Sequence, residues 1–462
     1  MNQPSTSRQV NTNDRSSFNL LVRPWQQPLP KPLLSRAVTN TKVLFQSPRN
    51  HGSQPKTIFL MRHDYPEYAY HHFLNEPADR MELYRGATLR GWIHYGRLFK
   101  VVGHDDSTGL FQVAETTTEI VIKRLIRKRM KTAARTEGGS NDDCNNKSNN
   151  LSANSLMHNN SSNNFNSNGY SNDLDGSTSG LDYHPPPTMM DENLTNPYHD
   201  IAVMERFGDG SHLLPCLEAL EDDKYLYIVS RRYTSDMIME HRRTIPDDLA
   251  QSICRILLED LRYMQQHRLC HFDLSPENIL MNDTLPLQMV LFDFEEGFRR
   301  IDDTTVPCPK YRFSKFPYAA PEIYHNYTCH MAKMDYNPYI DPYAADVWSL
   351  GATLFTILTQ YFLPNDSGRF VPGQPWSSYL CHRILLEKEA LVDDEILHQY
   401  LSKLESMRQH HRLYGEYRDL YQKLRVLSTM NPALRSLLRQ MLQVDPEDRW
   451  TVDELLEHPY LC

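Results

Sequence analysis

A tract rich in Asn and Ser divides this chain into two parts with different hydrophobic patterns. Between residues 139 and 180, Asn and Ser fill 23 of 42 positions (13 Asn and 10 Ser). Such a segment buries too little apolar surface to offset its conformational entropy, so we predict a disordered insertion over about 136–190. Before the tract, from Thr88 to Lys123, apolar residues alternate around turn residues as in an antiparallel sheet. After it, from Asp247 onward, they recur at intervals of three and four, as in helices. The chain is therefore predicted to have an α+β, bilobal fold with a small antiparallel β lobe and a larger helical lobe.

Composition excludes several classes of protein. The 462 residues are 40% hydrophobic with a mean hydropathy of -0.59, and no run approaches the roughly 18 apolar residues of a membrane-spanning helix. The first residues lack the apolar core of a secretory signal, and the eight Cys are scattered without metal-site spacing. Because the net charge is -9, we expect no attraction to nucleic acid or to an acidic membrane surface. We predict a cytoplasmic or nuclear protein.

The first 75 residues differ in composition from the rest. They are rich in Pro, Gln, Asn, Ser and Thr and show no sustained apolar period, so we predict a mostly disordered arm. Thr57–Met61 could still add a strand to a neighbouring sheet. Residues 76–462 are predicted to form one domain, with the small lobe at about 88–230 and the helical lobe at about 234–462.

Two motifs in the second half carry a spacing typical of phosphoryl transfer. In His271-Phe-Asp273-Leu-Ser-Pro-Glu-Asn278 an Asp precedes an Asn by five residues, and Asp293 follows about twenty residues later, after an apolar strand. Phosphoryl transfer needs one carboxylate to orient the attacking hydroxyl, and an amide and a second carboxylate to hold Mg²⁺ on the phosphates. Asp273 is the candidate for the first task, and Asn278 and Asp293 for the second.

A glycine-containing segment precedes a candidate phosphate-binding lysine. Gly91-Trp-Ile-His-Tyr-Gly96-Arg-Leu98 is interpreted as a hairpin over nucleotide phosphates, and Ile120-Val-Ile-Lys123 follows it. Ile93 stands where the middle Gly of a G-x-G-x-x-G loop would lie. A simple hairpin turn and a surface lysine remain the alternative.

Together with Tyr318-Ala-Ala-Pro-Glu322, Asp346-Val-Trp-Ser-Leu-Gly351 and Arg449, these motifs occur in an order that resembles the eukaryotic protein kinase family. The resemblance covers roughly residues 88–460 and implies a bilobal fold that binds ATP and Mg²⁺ between its lobes. It implies that Lys123 grips the nucleotide phosphates, that Asp273 is the catalytic base, and that Asn278 and Asp293 are metal ligands. Three further matches are structural: Glu322 and Arg449 as a buried pair, and Asp346 as a brace for the catalytic loop.

The chain departs from the kinase pattern at three further positions. The αC glutamate that should pair with Lys123 aligns with Asp200, one methylene shorter, and Glu205 is an alternative. Ser275 replaces a lysine that touches the γ-phosphate, and we expect Lys315 to restore this cation from across the site. A solvated surface lysine is the alternative for Lys315. Glu295 replaces a Gly two residues after Asp293. We call the segment Asp293–Gly297 the metal loop, and a residue with a side chain in place of Gly predicts that this loop is less flexible.

The segment Tyr225-Leu-Tyr-Ile-Val-Ser230-Arg-Arg-Tyr233 resembles the strand that leads into the hinge between kinase lobes. The resemblance implies that Ser230 is a small residue beside the adenine pocket. It also implies that Arg231, Arg232 and Tyr233 offer backbone hydrogen bonds to adenine, and that Asp236 reaches the ribose.

These features predict an active kinase that transfers the γ-phosphate of Mg-ATP to a protein Ser or Thr hydroxyl. The alternative is a pseudokinase that serves as a nucleotide-binding or protein-interaction scaffold, for which Ile93, Asp200, Ser275 and Glu295 argue. A small-molecule kinase is a third possibility, disfavoured by the Tyr318–Glu322 segment. A protein substrate is the expected partner.

Overall fold

The computed structural model describes fourteen stretches of the chain. They are residues 34–40, 43–45, 58–63, 67–72, 79–81, 91–108, 110–126, 197–236, 245–282, 286–299, 306–307, 315–334, 339–363 and 379–462. All of them belong to one unit, made of Met1–Arg127 and Asn193–Cys462. The insertion predicted at 136–190 lies outside the described residues.

Nine strands form the main sheet. They are β1 (Ser35–Asn40), β2 (Val43–Phe45), β3 (Ile58–Arg62), β4 (Tyr68–His72), β5 (Asp79–Met81), β6 (Gly91–Asp105), β7 (Leu110–Ile126), β8 (Cys216–Glu221) and β9 (Tyr225–Arg231). The sheet order is β2-β7-β9-β8-β1-β3-β4-β6-β5, and β6 also pairs with β7. Because of that extra pairing, seven of the strands close into a ring in the order β7-β9-β8-β1-β3-β4-β6. All ring pairings are antiparallel except that of β1 with β8.

The prediction of a mostly disordered arm at 1–75 does not hold for the strands that the structure describes at 35–40, 43–45, 58–62 and 68–72. Four strands, β1 to β4, lie there, and the strand considered at Thr57–Met61 is present as β3. Leu60, Met61, Ala69 and Tyr70 are buried. The buried side chains described in β3 and β4 are adjacent pairs, which produce no long apolar period in the sequence. The backbone of these strands is stabilised by pairing with neighbouring strands.

The hairpin predicted at Gly91–Leu98 is also wrong. This segment is the first half of the continuous strand β6, and the turn that follows lies beyond Asp105. Gly96 pairs with His72 of β4 on one side and with Ile120 of β7 on the other, so it has the environment of a strand interior. The connection from β4 to β6 runs through residues 73–90, which lie outside the described residues apart from β5.

The second lobe is mainly helical. Its helices are α2 (Asp247–Gln266), α3 (Pro321–Met331), α4 (Pro342–Thr359), α5 (Leu380–His382, followed by a π-helical turn at Arg383–Glu387), α6 (Asp394–Gln409), α7 (Gly415–Leu427), α8 (Pro432–Met441) and α9 (Val452–Leu456). One helix, α1 (Pro197–Phe207), accompanies the sheet. The predicted α+β fold with a β lobe and a helical lobe is confirmed. None of the helices in the described stretches is long and apolar enough to cross a membrane.

Helix α4 forms the centre of the helical lobe. Asp341 caps its first turn by accepting hydrogen bonds from the N–H groups of Tyr343 and Ala344, and Pro342 occupies the first helical position. Almost every later side chain is buried, including Trp348, and Gly351 lets α8 approach because a Cβ there would lie 2.8 Å from Met441. The helix is thus a fixed support for Asp346, which lies on it.

The remaining strands are short, and two pairs of them flank the loops of the site. They are β10 (Ser235–Asp236), β11 (Leu269–Cys270), β12 (Ile279–Asn282), β13 (Gln288–Leu291), β14 (Phe298–Arg299), β15 (Val306–Pro307) and β16 (Tyr339–Ile340). Strand β11 pairs with β14, and β12 pairs with β13. The loop between β11 and β12 contains Asp273, and the loop after β13 contains Asp293. These two ladders therefore place both carboxylates on one side of the helical lobe.

Candidate active site

The buried carboxylate of Asp346 holds the loop that contains Asp273. Asp346 accepts hydrogen bonds from the backbone N–H of His271 at 2.8 Å and of Phe272 at 2.9 Å. Burial raises the pKa of Asp346 to about 7, although both N–H donors lower it. Phe272 has a φ of 66°, a left-handed conformation that costs energy for a bulky residue. The two hydrogen bonds hold the loop in this conformation, which agrees with the bracing role inferred for Asp346.

Asp273 and Asn278 contact each other directly. The Asn278 amide Nδ2 donates to the Asp273 carbonyl oxygen at 2.7 Å and to Asp273 Oδ2 at 3.1 Å. Burial raises the pKa of Asp273 to about 6, against the opposing effect of the nearby Lys315. A carboxylate with this pKa is mostly ionised near neutral pH and can accept a proton.

Lys315 lies across the catalytic loop, as its compensating role requires. Its ammonium Nζ donates to Ser275 Oγ at 2.9 Å and lies 3.8 Å from Asp273 Oδ2. It also forms an ion pair with Glu277 at 2.5 Å. The Lys315 side chain is 22% exposed, so it is not the solvated surface lysine of the alternative interpretation. A cation thus occupies the space beside Ser275, and its part in catalysis stays a prediction.

Lys123 is surrounded by three carboxylates. Its Nζ lies 2.7 Å from Glu295 Oε1, 3.3 Å from Asp293 Oδ1 and 3.6 Å from Asp200 Oδ2. Burial lowers the pKa of Lys123, but the three carboxylates outweigh it and leave the pKa well above its usual value. Lys123 is therefore mainly in its ammonium form near neutral pH, which suits a lysine that binds phosphates.

Asp200 lies near Lys123, as the alignment predicts, but it has a second partner. Its Oδ1 accepts a hydrogen bond from the backbone N–H of Phe294 at 3.0 Å. Burial raises the pKa of Asp200 to about 7, while Lys123 lowers it. The alternative residue, Glu205, is exposed on α1. Asp200 thus connects α1 to the metal loop and faces Lys123 from just beyond hydrogen-bonding distance.

Asp293 begins a tight turn that carries the metal loop. It has a φ of 68°, and residues Phe294–Glu296 form one 3₁₀ turn after it. Burial raises the pKa of Asp293, but Lys123 outweighs it and holds this pKa below the usual value. The Asp293 side chain is one-third exposed at 33%. An ionised, accessible carboxylate of this kind is a suitable ligand for Mg²⁺.

The predicted adenine-side residues have mixed outcomes. Ser230 is buried on β9, where it pairs with Val121. The Arg232 N–H donates to the Glu119 carbonyl oxygen at 3.0 Å, which extends the pairing of β7 with β9 beyond Arg231. This donor is therefore already used, and a backbone hydrogen bond from Arg232 to adenine stays a prediction. Tyr233 is half-buried, and its contact with adenine stays a prediction.

The contact of Asp236 with the ribose stays a prediction, whereas the glycine segment differs from its prediction. Asp236 lies in β10 and pairs with Leu280, which follows the catalytic loop. In β6, Ile93 is the ladder partner of Lys123, so Gly91, Gly96 and Leu98 lie on the strand beside the lysine. They do not form the loop over the phosphates that the sequence suggested.

Two residues of the site carry contacts that sequence reasoning missed. Glu295 was expected only to stiffen the metal loop, yet it makes the shortest contact to Lys123 in the cluster. Glu277 was given no role, yet it pairs with Lys315. Acidic residues in the two loops that also contain Asp273 and Asp293 were the available signal.

The structural pair inferred for Glu322 and Arg449 is confirmed. The Arg449 guanidinium donates to both Glu322 carboxylate oxygens, at 2.9 and 3.1 Å, and to the carbonyl oxygens of Ala344 and Gln443. This bidentate pair connects α3, which contains Glu322, to the segment before α9, which contains Arg449.

Comparisons with known proteins agree with this geometry. A family model described as "Protein kinase domain" matches residues 187–461. Among curated proteins, the chain is 29% identical over 239 residues to "Mitogen-activated protein kinase 6" of Oryza sativa subsp. japonica, which covers 51% of this chain and 56% of that protein. It is 30% identical over 244 residues to "Mitogen-activated protein kinase homolog MMK2" of Medicago sativa, covering 52% and 58%. The matched region thus spans little more than half the length of these relatives.

Among solved structures, the chain is similar to the one titled "Crystal structure of Rad53 kinase domain and SCD2". The two share 17% sequence identity with a TM-score of 0.37, over 57% of this chain and 76% of that chain. A similarity of this size has no bearing on the residues of the site.

Proposed function

Since the chain belongs to the eukaryotic protein kinase family, we propose that it is an active enzyme that transfers the γ-phosphate of ATP to a Ser or Thr hydroxyl of a protein substrate. One observation carries the proposal: Asp273, Asn278, Asp293 and Lys123 are all present and arranged around one site. Phosphoryl transfer depends on positioning and electrostatics, so this set supplies the groups it requires.

Asp273 is the proposed base. Its carboxylate is fixed by Asn278 and is mostly ionised near neutral pH, because its pKa is about 6. It can therefore orient the substrate hydroxyl and accept its proton as the phosphoryl group transfers. Lys315, 3.8 Å from the same carboxylate, supplies positive charge next to the transferring group.

Mg²⁺ is the metal that the kinase family implies, and the residues present fit it. Asp293 offers an accessible carboxylate and Asn278 an amide, which are the hard oxygen ligands that Mg²⁺ prefers. When bound, the ion would neutralise charge on the nucleotide phosphates. Lys123 would contact the same phosphates, since it lies 3.3 Å from Asp293.

The choice of Ser or Thr over Tyr rests on the catalytic loop. The loop Asp273-Leu-Ser-Pro-Glu-Asn278 lacks the Arg residues of tyrosine-kinase loops. A nucleotide-binding scaffold without turnover is the second candidate. It is favoured by the contact between Glu295 and Lys123, which a phosphate would have to share or displace.

The test is transfer of labelled phosphate from Mg-ATP to generic Ser/Thr and Tyr substrates. Asp273→Asn and Lys123→Ala should each abolish transfer. Asp453→Asn and Lys403→Ala, the same changes at exposed helical positions, should leave it intact. Label on Tyr alone would overturn the Ser/Thr assignment. If the parent chain transferred nothing but was stabilised against heat by Mg-ATP, the scaffold would replace the kinase.

A further inference from the structure

Kinase lysines of this type need a fixed carboxylate partner. The ammonium of a lysine sits on a flexible four-carbon stem, so a charge must hold it where the nucleotide phosphates arrive. In kinases a glutamate of the αC helix does this, and moving that helix controls activity. Here the corresponding position is Asp200 on α1, which the sequence assigned to the task.

The contacts around Asp200 do not suit that task. Its Oδ2 lies 3.6 Å from Lys123 Nζ, beyond the usual range of a hydrogen bond. Its Oδ1 is engaged by the backbone N–H of Phe294 at 3.0 Å. The carboxylate is therefore oriented by the metal loop, and it forms an ion pair with the lysine at a distance beyond that of a hydrogen bond.

Glu295 has the contacts that Asp200 lacks. Its Oε1 accepts a hydrogen bond from Lys123 Nζ at 2.7 Å, and its side chain is only 9% exposed. A hydrogen bond between two charges at this distance, shielded from water, is the stronger type.

The turn that carries Glu295 is well fixed. Phe294 is 1% exposed, and the Gly297 N–H closes the turn on the Phe294 carbonyl at 3.0 Å. A Cβ on Gly297 would lie 2.7 Å from the Cys270 carbonyl, so the backbone passes close to β11. A carboxylate on such a turn can position a flexible lysine.

We propose that Glu295, rather than Asp200 of α1, is the residue that positions Lys123 for the nucleotide phosphates. The proposal rests on the proposed kinase function and adds to it. Since Glu295 lies two residues after Asp293, one turn then positions both the phosphate-binding lysine and a metal ligand. The hydrogen bond that holds Lys123 then comes from the metal loop and not from α1.

Labelling of Lys123 tests this without requiring turnover. An acyl-phosphate derivative of ATP acylates a lysine that lies against the bound phosphates. The unprotonated amine attacks the acyl carbon, a C–N bond forms, the acyl–oxygen bond to the phosphate breaks, the nucleotide leaves, and the amine loses a proton to solvent. The yield on the Lys123 peptide is measured by mass spectrometry. Glu295→Gln, which preserves size, should reduce labelling by about tenfold or more, whereas Asp200→Asn should reduce it by less than about threefold.

Moving the glutamate from the metal loop back to α1 should rescue the labelling. Glu295→Gly should lose labelling as Glu295→Gln does, and the double variant Asp200→Glu/Glu295→Gly should recover most of it by returning a glutamate to α1. Where transfer is measurable, the Glu295 variants should raise the KM for ATP more than they lower kcat. Parent-level labelling in Glu295→Gln, or an equal loss in Asp200→Asn, would overturn the proposal.

Two controls separate this inference from the proposed function. Lys123→Ala must abolish the signal. Asp273→Asn should keep labelling while losing transfer, because the base does not hold the lysine. If the parent chain showed no transfer at all, the effect of Glu295 on labelling would still decide the positioning role.

Discussion

Replacing Lys315 with Ala is expected to reduce kcat by about a hundredfold. Its Nζ lies 2.9 Å from Ser275 Oγ and 3.8 Å from Asp273 Oδ2, within a part-buried site. Removing one donor that stabilises transition-state charge costs about 10²–10³ in kcat, or about 2.7–4 kcal/mol. Because the lysine side chain is 22% exposed, water can replace part of its effect, and the lower end of that range applies.

The same substitution should move the pH dependence. Burial raises the pKa of Asp273 to about 6, and Lys315 opposes that rise. Without the lysine this pKa should be higher, so a larger fraction of Asp273 is protonated near pH 7 and unable to act as a base. The acid limb of the profile should therefore shift to higher pH, which initial rates from about pH 5 to pH 9 at saturating Mg-ATP would show.

Two further variants test the role of Lys315. Lys403→Ala on α6 is the matched control and should have parent kcat, since that lysine is exposed. The exchange Ser275→Lys/Lys315→Ser returns the cation to the usual kinase position and should recover at least about tenfold of the loss. A kcat for Lys315→Ala within about twofold of the parent, with an unshifted acid limb, would refute the compensating role of Lys315.

Other consequences can be measured on the same protein. Arg449→Ala should lower the free energy of unfolding by about 3–5 kcal/mol in denaturant titrations, because it leaves Glu322, whose side chain is only 13% exposed, without its bidentate partner. A loss below about 1 kcal/mol, within the range of ordinary surface changes, would show that the pair is dispensable. Leu60→Ala should destabilise by about 2–5 kcal/mol, since Leu60 is 1% exposed in β3, and an unchanged melting temperature would mean that the arm is no part of the fold. For the parent chain, kcat/KM should rise with pH through about 6, because Asp273 must lose its proton to act and its folded pKa is about 6; a profile that is flat there would assign the base elsewhere.

The catalytic spacing was the part of the site most readily predicted from sequence. Asp273 and Asn278 lie in one short loop, so their contact depends on local geometry that the intervening Pro and turn residues impose. The bracing by Asp346 and the pair of Glu322 with Arg449 also followed, because the motifs carrying them are long and ordered. The position of Lys315 beside Ser275 could be predicted because Ser275 replaces a lysine, and phosphoryl transfer needs a positive charge at that point.

The misjudged regions depend on pairing between distant segments. Strands β1 and β2 pair with strands far away in sequence, β8 and β7 respectively. The segment from Gly91 contains two glycines that are typical of a turn, yet β4 and β7 flank it and make it a strand. The sequence predicts only a backbone effect for Glu295, because the partner of its carboxylate, Lys123, is 172 residues away in sequence.

Single-turnover transfer of the γ-phosphate tests the central claim most directly. The chain in excess over labelled Mg-ATP would be mixed with a Ser/Thr substrate, in parallel with Asp273→Asn. We predict transfer to Ser or Thr by the parent and loss of at least about a thousandfold in the variant, as expected when the base is removed. Equal transfer by both proteins, or none by the parent while it binds Mg-ATP, would contradict the assignment of this site as a working kinase centre.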